Sequence, residues 1–106
     1  MMWILFLLFI FSCNKKEEKV LTYQEVKALF KERGCTNCHD MRRNLVGPPF
    51  VSIAQRYKNN KDAEKILFKS LKDGSCNKWV NDCMPKQNLD KKEAKAMIRW
   101  ILNLEP

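Results

Sequence analysis

The densest chemistry in the chain lies in five consecutive residues, Cys35-Thr36-Asn37-Cys38-His39. Two thiols three positions apart, followed at once by an imidazole, form the C-x-x-C-H pattern of c-type haem attachment. The thiols can add to the two vinyl groups on one edge of a porphyrin, which brings the next residue under the iron. His39 is the single histidine of the chain, so the proximal-ligand role falls to it. Two other chemistries use the same cysteines. Cys35 and Cys38 could close a redox-active or structural disulfide, but that motif normally sits beside a βαβ pattern, which is absent here. Cys35, Cys38, Cys76 and Cys83 could hold zinc as four thiolates, in a structural binding module without redox function. The second pair is spaced by seven, wider than usual for zinc ligands. Haem is the preferred reading.

Two further segments bear on the same site. A ligating imidazole needs a partner for its other ring nitrogen, to fix its tautomer and orientation. A backbone carbonyl in the stiff segment Leu45-Val46-Gly47-Pro48-Pro49-Phe50 could supply it; the plainer alternative is a loop-to-helix turn. Met84-Pro85 lies in a later loop, and a thioether is a soft ligand suited to an electron-transfer haem iron. Met97 lies on an apolar helical face and reads as core. Met41 is too close to His39 to reach the opposite haem face, and Met1 and Met2 fall in an N-terminal apolar run. Met84 is therefore the expected sixth ligand. A labile Met84 would instead leave an open position for peroxide or a diatomic gas, an enzymatic or sensory alternative. No set of acid, base and nucleophile residues suggests substrate chemistry, so an enzyme is not expected.

Four short helices are expected to position these loops. Thr22 to Glu25 has the form of a capping box, with Val26, Leu29 and Phe30 at helical spacing and Gly34 as a stop. That helix should run from about Tyr23 to Arg33. Phe50, Ile53, Ala54 and Tyr57 mark a second helix after Pro48-Pro49. Ala63, Ile66, Leu67 and Leu71 mark a third, ending before Gly74. A second capping box, Asp90 to Glu93, opens a fourth that carries Ala94, Met97, Ile98 and Ile101. No stretch alternates with period two, so no sheet is expected. The connections Cys35 to Pro49 and Gly74 to Leu89 are long for a small domain, as functional loops often are.

The chain has 106 residues, enough for one domain with a limited core that a cofactor or disulfide would help to stabilise. Residues 1–12 open with an uncharged apolar run that suits the core of a secretory signal and is short for a membrane span. Ile10-Phe11-Ser12-Cys13 resembles a bacterial lipobox, which implies cleavage before Cys13 and a lipid on its sulfur; ordinary cleavage nearby and an uncleaved anchor are the alternatives, and all three imply export. Residues 13–21 then form a charged tether and residues 22–106 the domain. Export to the periplasmic side of a bacterial membrane follows from that reading. The formal charge is +8, from 20 Lys and Arg against 12 Asp and Glu. Lys61, Lys65, Lys69 and Lys72 share one helical face, which reads either as a solvated face or as a docking patch for an acidic redox partner. No nucleic-acid-binding motif is present.

Phe30, Gly34-Cys35-x-x-Cys38-His39, Val46-Gly47-Pro48, Gly74, Trp79, Met84-Pro85 and Trp100 together resemble the short bacterial class I cytochromes c, over about Leu21 to Leu104. The resemblance implies an all-α, small cytochrome c fold of about four helices wrapped around one covalent haem. It implies a monomeric one-electron carrier of a respiratory or related chain, with His/Met ligation. The first and last helices would cross with Phe30 and Trp100 near the contact. The Pro48 carbonyl would accept from His39, and the Trp79 indole would reach a haem propionate; without the resemblance Trp79 is simply a loop aromatic covering apolar surface. Two departures stand out. Family members often carry an arginine near position 70 to meet a propionate, and this chain has Ser70. Typical members lack Cys76 and Cys83, which are expected to form a disulfide in an exported protein, two free thiols being the alternative.

Overall fold

The computed structural model describes residues 21–79 and 81–105, so the signal reading, Cys13 and nearly all of the tether lie outside the described residues. The described chain forms helices α1 (Tyr23–Glu32), α2 (Phe50–Tyr57), α3 (Ala63–Asp73) and α4 (Lys91–Leu102). Between α3 and α4, two strands of two residues each, β1 (Ser75–Cys76) and β2 (Cys83–Met84), pair antiparallel.

Each helix begins and ends where its sequence has a reason. Thr22 is extended at the N-cap of α1, and its Oγ1 accepts the Glu25 N–H at 3.2 Å. The Arg33 N–H reaches back to Leu29 O at 2.9 Å and closes that helix. Pro49 caps α2, where its missing N–H costs nothing, and its carbonyl accepts from Ser52 and Ile53. Asp90 does stand at the N-cap of α4, but the expected second capping box does not form. The Asp90 side chain makes no capping bond, and Glu93 turns away to accept two hydrogen bonds from Arg33 on α1, at 3.2 and 2.8 Å. A charged, bidentate partner outcompetes a neutral backbone N–H.

α1, α2 and α3 all pack against α4. Successive turns of α1 each bring an apolar residue inward, so Val26 and Phe30 are both buried. Phe30 sits 5.0 Å from Trp100 and 4.8 Å from Phe50, ring centre to ring centre, and this aromatic cluster joins α1, α2 and α4. Ile53, Tyr57, Ala63 and Met97 complete the core, so Met97 is a core residue as expected. Arg99 on α4 and Glu64 on α3 add an exposed ion pair at 2.6 Å.

The β-pair corrects the expectation of no sheet. Its register places Cys76 opposite Cys83, and a disulfide joins them. Strands of two residues are too short to show an alternating pattern, so periodicity could not reveal them. The all-α character of the fold is unaffected.

Candidate functional site

The first long loop is wound back on itself by its own backbone. Residues Cys35–Asn37 make one 3₁₀ turn directly after α1. The N–H groups of Cys38 and His39 both reach Cys35 O, at 3.1 and 2.8 Å, which puts the two thiols and the imidazole on one tight coil. Farther along, Gly47 N–H donates to Cys38 O at 2.7 Å, and Phe50 N–H to Asp40 O at 2.9 Å. The Asp40 carboxylate accepts the backbone N–H groups of Arg42 and Arg43 at 3.2 and 3.0 Å. Those two bonds, with help from the Arg43 side chain, hold its carboxyl below the usual carboxylate range.

This coil presents His39 in one orientation. Its Nδ1 lies 2.7 Å from Pro48 O. A carbonyl only accepts, so Nδ1 carries the proton and donates, and the lone pair remains on Nε2. On the other side the ring stacks on Phe50, with centres 5.4 Å apart and planes 22° apart. Gly47 lies against the ring edge, where a Cβ would stand 2.5 Å from Cε1. Only glycine lets the Pro48 carbonyl come this close to His39. The Cys35 and Cys38 thiols are both half-buried and not bonded to one another. Burial pushes the Cys35 thiol up, so it stays protonated at neutral pH.

The second loop comes at the same space from the other side. Gly74 ends α3 with φ +80°, and a Cβ there would lie 2.9 Å from Met84 O. The chain can therefore fold β2 closely over the end of α3. Gln87 N–H ties the segment beyond Met84 to Leu71 O at 2.7 Å. On α2, the Arg56 guanidinium lies 4.4 Å from the Trp79 ring centre and donates to Lys78 O at 3.0 Å. Trp79 is thus held by a stacked cation at a favourable distance.

One cleft of about 300 Å³ is lined by Cys35, Cys38, His39, Pro48, Trp79 and Met84 together, with mainly apolar walls. Every site residue expected from the sequence meets there. The residues fit a covalent haem: two unbridged thiols, an imidazole with a free Nε2, a thioether, and an indole N–H without an acceptor among the described residues. The four-thiolate zinc alternative is overturned, because Cys76 and Cys83 are bonded to each other. The Cys35–Cys38 disulfide alternative also fails. Arg56 and Lys78 went unforeseen. They act through contacts 22 residues apart in sequence, which no local pattern marks.

The Cytochrome c family model matches residues 23–105. Cytochrome c-552 of Hydrogenobacter thermophilus is 38% identical over 77 residues, which is 73% of this chain and 79% of that protein. Cytochrome c-551 of Pseudomonas aeruginosa is 30% identical over 80 residues, 76% of this chain and 77% of that one. The crystal structure of wild-type Nitrosomonas europaea cytochrome c552 superposes with a TM-score of 0.71 at 35% identity, covering 74% of this chain and 99% of that one.

Proposed function

The chain belongs to the cytochrome c family, and from that premise we propose that His39 and Met84 hold the iron of a haem joined to Cys35 and Cys38 by thioether bonds. It is an electron-transfer haem protein with one covalent c-type haem. When bound, the haem supplies reversible exchange of one electron between ferric and ferrous iron.

The chain's own residues make that exchange fast by moving little. Pro48 O keeps the proton on Nδ1 of His39, so Nε2 is always available as a ligand. The Met84 thioether is a soft, neutral ligand that favours the ferrous state and raises the potential. The Trp79 N–H would serve a haem propionate. Phe30, Phe50 and Met97 exclude water from the buried face. The observation that carries this reading is the 2.7 Å contact between His39 Nδ1 and Pro48 O at the wall of a cleft that Met84 also lines.

The carrier works as a monomer in a respiratory or related chain, with an acidic redox partner and no catalysis of its own. It is exported and held to the membrane by a lipid on Cys13. In that oxidising compartment the Cys76–Cys83 bridge persists. Among the described residues no helix is long and apolar enough to cross a membrane.

The test is an optical spectrum of protein matured in a bacterial periplasm with haem-attachment machinery, native and then denatured in alkaline pyridine. The expected result is a c-type haemochrome that survives denaturation, with a sulfur-to-iron charge-transfer band in the native oxidised form. A haemochrome without that band, and a ferrous form that binds carbon monoxide, would move the protein to the peroxidase or gas-sensor reading. A colourless product would end the haem assignment.

A further inference from the structure

Part of the otherwise apolar cleft wall is polar, and a lysine reaches it. Ser70, only 8% exposed, lines the wall beside Trp79. Its hydroxyl donates to Ile66 O at 3.2 Å and accepts a hydrogen bond from Lys78 Nζ at 2.8 Å. The Lys78 side chain therefore runs from an exposed loop to the mouth of the cleft and ends there. An ammonium has three N–H donors and no acceptor, so further donors remain after Ser70 is served. No carboxylate among the described residues pairs with Lys78 or with neighbouring Arg56. Asp82 also lines the cleft, but its carboxylate accepts the Cys83 N–H at 2.8 Å.

One cation, Lys78, thus stands beside Trp79 in the wall of an otherwise apolar cleft, while Arg56 stacks on the Trp79 ring. An ammonium brought against apolar walls loses hydration, and an anion placed there restores it. The chemistry there calls for a carboxylate on the ligand. The Ser70 hydroxyl carries no charge, but it anchors the Lys78 ammonium.

We infer that Lys78, anchored on the Ser70 hydroxyl, binds a haem propionate and so sets part of the reduction potential. The inference rests on the haem reading above. Lys78 is a positioning and charge-compensating residue. It neutralises a carboxylate near the iron, and that neutralisation favours the reduced, less positive centre. Removing the ammonium leaves the propionate charge uncompensated and stabilises ferric iron.

The test compares full-length protein, matured with haem, as wild type, Lys78→Met, Lys78→Arg and Lys72→Met. Lys72 is exposed near the end of α3 and does not line the cleft, so it controls for the loss of one charge. The pyridine haemochrome and the sulfur-to-iron band are recorded first for each protein. Their absence in wild type would defeat the haem reading itself. With both present, redox titration at low ionic strength decides the role of Lys78. The expected result is a fall in midpoint potential for Lys78→Met several times that for Lys72→Met, with Lys78→Arg close to wild type. A Lys78→Met shift no larger than that of Lys72→Met would overturn the inference. So would a Lys78→Arg protein that behaves like Lys78→Met.

Discussion

Gly47 sets how closely the imidazole and its backbone acceptor can approach. A methyl group at this position would have to displace the His39 ring or the Pro48 segment. Gly47→Ala is expected to lower holoprotein stability by about 1–3 kcal/mol, the usual cost of overpacking. Denaturant titration followed at the haem band measures it, and an unchanged midpoint would show that the loop yields freely. Met84 makes a different prediction. Met84→Ala should keep the covalent haemochrome, lose the sulfur-to-iron band and gain carbon monoxide binding in the ferrous state. Retention of the band would mean that another side chain is the ligand. At this scale the sequence was informative where the chemistry is local. Cys35, Cys38 and His39 stand out in sequence because they are adjacent, and the coil that holds them lines the cleft. Met84 was singled out by eliminating the other methionines, and it lines the cleft. The partnership of Lys78 with Ser70 was hidden, because it depends on how a loop crosses the end of α3.

The elements differ in what they contribute. Phe30 is buried at the crossing of α1 and α4, within ring-contact distance of Phe50 and Trp100. Phe30→Ala should cost about 3–5 kcal/mol, because three helices cannot close over the cavity it leaves. The Arg33–Glu93 ion pair joins the same two helices at 2.8 Å, but in a partly exposed setting. Glu93→Ala should cost only a small fraction of that amount, since exposed pairs gain little over hydrated charges. Thermal or urea unfolding of both variants ranks them, and a larger loss at Glu93 would reverse the assignment of what holds α1 on α4. The β-pair has a separate task. Its disulfide closes a short loop around Trp79 next to Met84. Cys76→Ser with Cys83→Ser should destabilise by about 2–3 kcal/mol in the chain-entropy account. It should also make Met84 easier to displace, seen as a loss of the sulfur-to-iron band at lower denaturant than wild type. Equal displacement curves would leave the bridge no part in ligation. All four helices were legible from 3.6-residue periodicity and their stops. The β-pair was not, nor was the turn of Glu93 towards Arg33, because both are decided by neighbours distant in sequence.

At the scale of the whole molecule, charge is the property that reaches a partner before contact. The excess of +8 includes Lys65, Lys69 and Lys72, exposed along α3, and Lys61, exposed just before it, with Lys91, Lys92 and Lys95 exposed on α4. Among these, no lysine forms an ion pair with a described residue. α3 leads directly into the loop that carries Trp79 and Met84, so a partner drawn to its lysines arrives beside the cleft. Fields from exposed charges extend about 8 Å at physiological ionic strength and about 30 Å at 0.01 M. Encounter with an acidic partner should therefore be fast at low salt and slow steeply as salt rises, since steering acts mainly on the association rate. The measurement is the second-order rate of electron transfer to an acidic redox protein across a range of ionic strength. Replacing Lys61, Lys65, Lys69 and Lys72 together by glutamine should flatten that salt dependence while leaving the haem spectrum as it was. A slope preserved in the quadruple variant would move docking away from α3, to the lysines of α4 or to the uncharged rim formed by exposed Leu45 and Val46. A rate indifferent to salt in the wild-type protein would leave the lysines of both helices as a solvated surface with no part in docking.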